Sequence, residues 1–140
     1  MSRKIVFSAL LIILSLSLAA QHSWTQRAGF QLPSRIQAVG FSLDGKGYIA
    51  TGTEGEPGSF LNDFQEYDPA TNSWRNKTDL PSPLRGSAAF VIGNRAYITT
   101  GASPDGMIRQ LYIWDKTSGL WSTGTAFPDG EERMAAVGIS

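Results

Sequence analysis

The 140-residue chain contains no cysteine. That rules out a disulfide, a thiolate metal site and a lipid-modified cysteine, so packing alone must hold the fold. It has a single histidine, His22, at the edge of a leading apolar segment. No histidine cluster with metal-ligand spacing, nucleophile elbow or glycine-rich phosphate loop is present. Charge of either sign is not in excess: twelve basic residues balance twelve acidic ones. Without Arg3 and Lys4, the only charges in the first twenty residues, the net is −2. A nucleic-acid footprint needs a basic face, and this composition supplies none. A long helical period is also missing, whereas fifteen glycines and seven prolines point to many turns. The expected class is all-β.

The first twenty residues read as a targeting segment. Arg3 and Lys4 precede an apolar run from Ile5 to Leu18, and Ala19 and Ala20 supply small residues before Gln21 and His22. This is the three-part pattern of a secretory signal peptide, cleaved after Ala19 or Ala20. An exported protein with no stable membrane anchor after cleavage is expected, periplasmic or extracellular.

The remainder is repetitive. Trp24, Trp74 and Trp121 stand 50 and 47 residues apart. Each is followed by a hydrophobic-Pro pair and an arginine: Leu32-Pro33 with Arg35, Leu80-Pro81 with Arg85, and Phe127-Pro128 with Arg133. Residues Arg35 to Ser42 align without a gap on Arg133 to Ser140, with five of eight positions identical. Asp44-Gly45 and Gly93-Asn94 are two-residue hairpin turns. Gly47-Tyr-Ile-Ala-Thr-Gly52 and Ala96-Tyr-Ile-Thr-Thr-Gly101 have strand character after them. A third strand is expected over Asn62–Tyr67 and Arg109–Trp114, and a fourth near Trp74 and Trp121. Four short antiparallel strands in about 48 residues cannot bury both sheet faces alone, and stacking such units around an axis gives a β-propeller.

The repeat resembles the kelch motif: an arginine opening strand one, a Tyr-hydrophobic-x-x-Gly ending strand two, then Tyr67-Asp68-Pro69 and Trp74. It is most similar to exported bacterial kelch-repeat proteins of the galactose-oxidase-like propeller group. The resemblance covers residues 23 to 140. Where kelch repeats usually have Gly-Gly, both units here have Thr-Gly, at Thr51-Gly52 and Thr100-Gly101. Two whole units are present, 35–77 and 85–125. Residues 23–27 match only the outer strand of a closing blade, and 133–140 only the first strand of a further one. Since a ring takes typically four to eight blades, the resemblance implies the N-terminal portion of a longer propeller. Further blades would come from the rest of the chain or from other copies.

Repeating residues are expected to serve the fold. Asp68 and Asp115 precede turns and fix corners, and the three tryptophans pack between blades. Arg35, Arg85 and Arg133 are read as equivalent, with a structural role weighed above the binding of carboxylates or sulfated glycans. Residues that differ between units are the better functional candidates: Glu54 and Glu56 in one loop, Asp105 and Arg109 around the other, and the acidic group Asp129, Glu131 and Glu132. In kelch-like propellers the loops after strand two and before strand one share a face, so the resemblance implies that the candidates converge there. The leading expectation is a binding or interaction module for a protein or glycan, with no cofactor. The alternative is a piece of a carbohydrate-active enzyme, a sugar oxidase or sialic-acid mutarotase. The copper-radical oxidases of this fold need a cysteine-linked tyrosine, which a chain without cysteine does not supply.

Overall fold

A computed structural model describes residues 24–55, 57–130 and 132–139. The predicted signal segment and the residues Glu56 and Glu131 lie outside the described residues. Ten strands form: β1 (Val39–Leu43), β2 (Lys46–Ala50), β3 (Phe64–Asp68), β4 (Ser73–Asn76), β5 (Ala88–Ile92), β6 (Arg95–Thr99), β7 (Ala102–Ser103), β8 (Gly106–Met107), β9 (Leu111–Asp115) and β10 (Leu120–Gly124). They make two four-stranded antiparallel meanders, β1-β2-β3-β4 and β5-β6-β9-β10, and no helix occurs among the described residues. The stretch expected as a plain polar loop after Gly101 contains the small β7–β8 ribbon.

The turns follow from residue type. Asp44 and Gly45 both take positive φ, 52° and 71°, as a type I′ hairpin requires. In the second sheet only Gly93 does, at 57°, which matches a glycine at the first central position of a type II′ turn. At the outer corners the Asp68 carboxylate accepts the Ala70 N–H at 2.9 Å, and that of Asp115 accepts the Thr117 N–H at 2.9 Å.

Strand alternation sorts the side chains onto two faces. Registers Val39↔Ala50, Phe41↔Tyr48, Tyr48↔Glu66 and Ala50↔Phe64 put these residues on one face of the first sheet. Ala96↔Trp114, Ile98↔Tyr112 and Trp121↔Trp114 do the same for the second. These two faces meet. Trp114, fully buried, lies 5.4 Å from Tyr48 and edge-on to Phe64 at 5.0 Å, and Trp121 reaches Phe64 at 5.3 Å. Leu80 and Leu84 of the connecting segment complete the core. Each aromatic buries on the order of 150–250 Å², so this interface dominates the packing.

Two of the repeat tryptophans make the same polar bond. The Trp121 indole N–H donates to the Thr78 carbonyl at 2.7 Å, and that of Trp74 to the Ala28 carbonyl at 3.0 Å. Trp24 makes no such bond among the described residues. It is 99% exposed, because residues 24–27 join no sheet.

The far face of the second sheet repeats the covered face of the first. Phe90 stacks on Tyr97 at 5.1 Å and 1°, as Phe41 stacks on Tyr48 at 5.2 Å and 12°. Nothing in the described chain covers the outer part of this far face, where Ile92 and Leu120 are each 61% exposed. Residues 134–139 lie against it: a Cβ on Gly138 would strike the Ala89 carbonyl oxygen. Two face-stacked four-stranded sheets are successive blades of a β-propeller.

Candidate functional site

β1, β3, β5 and β9 begin at one end of the sheets, where β2 and β6 finish. The loops at this end carry Arg35, Glu54, Arg85, Asp105, Arg109 and Arg133. Glu56, in the same loop as Glu54, lies outside the described residues. At the opposite end, charges are consumed by the corners. Lys46 pairs with Glu66 at 2.9 Å and Asp68 at 3.1 Å, Arg95 with Asp115 at 3.0 Å, and Lys116 bonds to Asp44 across the two sheets.

The backbone at the candidate end is unusual. Thr51 and Thr100 hold φ of 62° and 61°, although β-branched residues rarely enter this region. Each is followed by a glycine, Gly52 at 104° and Gly101 at 90°. A Cβ on Gly52 would lie 2.8 Å from the Ile36 carbonyl oxygen, and one on Gly101 2.5 Å from that of Arg85. The Thr-Gly pairs thus keep the geometry for which glycine is the undemanding residue at both positions. The threonine hydroxyls are buried without a hydrogen-bond partner.

The three arginines are not equivalent, contrary to the spacing argument. Bridges Ile36↔Thr53 and Arg85↔Ala102 set the register, which offsets the first strands by 49 residues. Positive φ recurs at Gln37, Gly86 and Ala135, at 58°, 62° and 57°. Their backbones bond in series, Gly86 N–H to the Gln37 carbonyl at 3.0 Å and Ala135 N–H to the Gly86 carbonyl at 2.8 Å. Arg35 therefore corresponds to Leu84 and Arg133, and Arg85 to Ile36 and Met134. The arginine after Leu80-Pro81 sits one step further along. Beyond the loop the offset drops to 47, as from Phe64 to Leu111, because the second loop is two residues shorter.

Arg35 is a structural clip. Its side chain is 6% exposed, pairs with Asp63 at 2.7 Å, donates to the Thr51 carbonyl at 3.1 Å and lies 4.9 Å over the Phe30 ring. Asp63 was not singled out by spacing. Its signal is that it does not repeat, since Gln110 stands at its place in the second unit and spans to the Gly124 carbonyl at 2.9 Å. Arg109 is likewise engaged: it donates to the Phe127 carbonyl at 2.7 Å and pairs with Asp129 at 2.5 Å and Glu132 at 3.2 Å. It straps the segment leaving the second sheet, drawing in two of the three predicted acidic residues. Arg133 is exposed, 5.9 Å over Phe127, and its carbonyl accepts the Gly101 N–H at 2.7 Å. Asp105 is at the exposed tip of the β7–β8 ribbon. Glu54 lines an open depression with Pro57, Gly58 and Ser59. Arg85 is half-buried, its guanidinium 4.8 Å over the Phe60 ring. Among the described residues no group of three or more acidic or histidine side chains is arranged to hold a metal ion, and no helix is long and apolar enough to cross a membrane.

No family model matches the chain. It is similar to the N-acetylneuraminate epimerase of Shigella sonnei (strain Ss046), 36% identical over 90 residues that make up 61% of this chain and 24% of that protein. The N-acetylneuraminate epimerase of Escherichia coli (strain K12) is 34% identical over 90 residues, with the same coverage. The matched region spans about a quarter of these curated relatives. Among solved structures, that of YjhT superposes with a TM-score of 0.66 at 23% identity, covering 76% of this chain and 42% of that one. The likeness to YjhT bears on the fold alone. The chain has an all-β, β-propeller fold, with two complete four-stranded blades among the described residues.

Proposed function

We propose that this chain supplies blades of an exported β-propeller that acts on N-acetylneuraminate or a closely related sugar acid, interconverting its epimeric or anomeric forms. The observation that carries this reading is the 36% identity over 90 residues to an N-acetylneuraminate epimerase, within a chain whose sheets stack as propeller blades. It favours the enzyme alternative over a plain binding module, for which no specific feature speaks. The loop end of the sheets is the proposed substrate face. Its backbone is irregular and its loops differ between units, whereas the turn end is closed by ion pairs. Binding groups are disproportionately found on loops held by a rigid scaffold.

The test is anomer exchange in the full-length protein. N-acetylneuraminate freshly released as its α form is followed by proton NMR with and without enzyme. Acceleration of the approach to anomeric equilibrium is expected. A rate equal to that of buffer contradicts the proposal.

A further inference from the structure

We infer that Gln37, two residues before β1, is a specificity residue that hydrogen-bonds the acylamino group of a sugar acid at the loop end. This deepens the proposed function and rests on it. β1 and β5 are the strands through which the two sheets approach each other, so their starts lie nearest the axis of stacking. Gln37, Gly86 and Ala135 hold one position of the repeat there. They are kept side by side by the bonds from the Gly86 N–H to the Gln37 carbonyl and from the Ala135 N–H to the Gly86 carbonyl. All three take positive φ, and Gln37 is the one with a side chain longer than a methyl group. It is exposed, and its carboxamide makes no hydrogen bond among the described residues.

The fold does not ask for a glutamine at this position. A φ of 58° is uncommon outside glycine, asparagine and aspartate, and the second sheet meets the same need with Gly86. Thr51 and Thr100 are strained too, but the same residue carries that strain in both units, so it belongs to the blade. Strain held by a residue that the repeat does not require is a mark of functional positions. The surroundings suit a small acylamino group. A carboxamide carries both a donor and an acceptor, so it can donate to the acyl oxygen or accept from the amide N–H. Gly86 and Ala135 put no long polar side chain beside it to compete for that bond. Ile36 and Met134, 46% and 38% exposed in the same row, offer apolar surface to the acyl methyl.

The experiment is a calorimetric comparison, on the full-length protein, of N-acetylneuraminate with the analogue that carries a hydroxyl in place of the acetamido group. Wild type should bind the N-acetyl compound about threefold to tenfold more tightly, the range of one neutral hydrogen bond. Q37G should bind both alike and melt no lower than wild type, because glycine accepts the left-handed φ without strain. Q37L, which keeps the length and loses the amide, should also bind both alike. Equal binding by wild type, or a preference retained in both variants, overturns this inference and leaves the proposed function standing. A Q37G protein that melts well below wild type also overturns it, since the glutamine would then serve the fold. Wild type that binds neither compound overturns both the inference and the proposed function.

Discussion

Phe64 of the first sheet and Trp114 of the second meet edge to face, with centroids 5.0 Å apart and planes at 84°. Both side chains are fully buried, and the pair joins two sheets that share no strand. F64A or W114A should therefore destabilise by about 3–5 kcal/mol, the usual cost of removing a buried aromatic. Urea unfolding followed by far-UV circular dichroism measures it. A loss below about 1 kcal/mol would mean that the sheets do not depend on each other.

Stability should fall in acid through Glu66. Burial alone would push its carboxyl up, but bonds and attraction from Lys46, Lys77 and Tyr48 hold it below the usual range. A lowered folded pKa means that the contribution is present above the unfolded value, about 4.3, and is lost as pH falls through the folded one. The urea midpoint should hold between pH 7 and 5 in this respect and drop below about pH 4.3. E66Q should flatten part of that drop, and an unchanged profile would remove Glu66 as its source.

The Arg35–Asp63 pair offers a sharp separation of roles. Truncating either partner strands a largely buried charge, so R35A or D63A should destabilise by about 3 kcal/mol. The double variant should cost less than the sum, as a double-mutant cycle would read. Additive losses would show that the two side chains do not work together.

At the Thr-Gly pairs, G52A should cost at least about 1–3 kcal/mol, since φ of 104° is strained for any side chain and the added Cβ would strike the Ile36 carbonyl. T51G should cost much less, because it relieves strain at φ of 62° and removes a buried hydroxyl without a partner. Thermal melts of the two variants give the comparison. Equal losses would refute the strain argument.

Residues 24–140 expressed alone should self-associate through the far face of the second sheet, where Phe90, Ile92 and Tyr97 repeat the Phe41, Leu43 and Tyr48 set of the first sheet and Leu120 adds a further exposed apolar side chain. Light scattering after size exclusion tests this. A monomer that melts cooperatively would show that the face needs no cover.

Much of the fold was legible in the sequence because strand alternation and turn chemistry are local. Phe41, Tyr48, Asp44-Gly45 and the Asp68 corner can be read without knowing any long-range contact. The register of the arginines was not. Spacing from tryptophan to arginine is the same eleven residues for Trp24–Arg35 and Trp74–Arg85 and hides the shift after Pro81, and only the backbone bonds at Gln37, Gly86 and Ala135 separate Arg85 from Arg35. Asp63 escaped for a related reason: an acid at a strand start acquires meaning only when its partner, 28 residues earlier, is seen to reach it. Trp24 shows the converse, a repeat residue whose packing partner does not occur among the described residues.

The most direct measurement is a crystal structure of the full-length protein with N-acetylneuraminate bound. The sugar should lie at the end of the blades where β2 and β6 finish, with the first two sheets packed through Phe64 and Trp114. A sugar bound at the turn end, beside Asp44 and Lys116, would contradict the account.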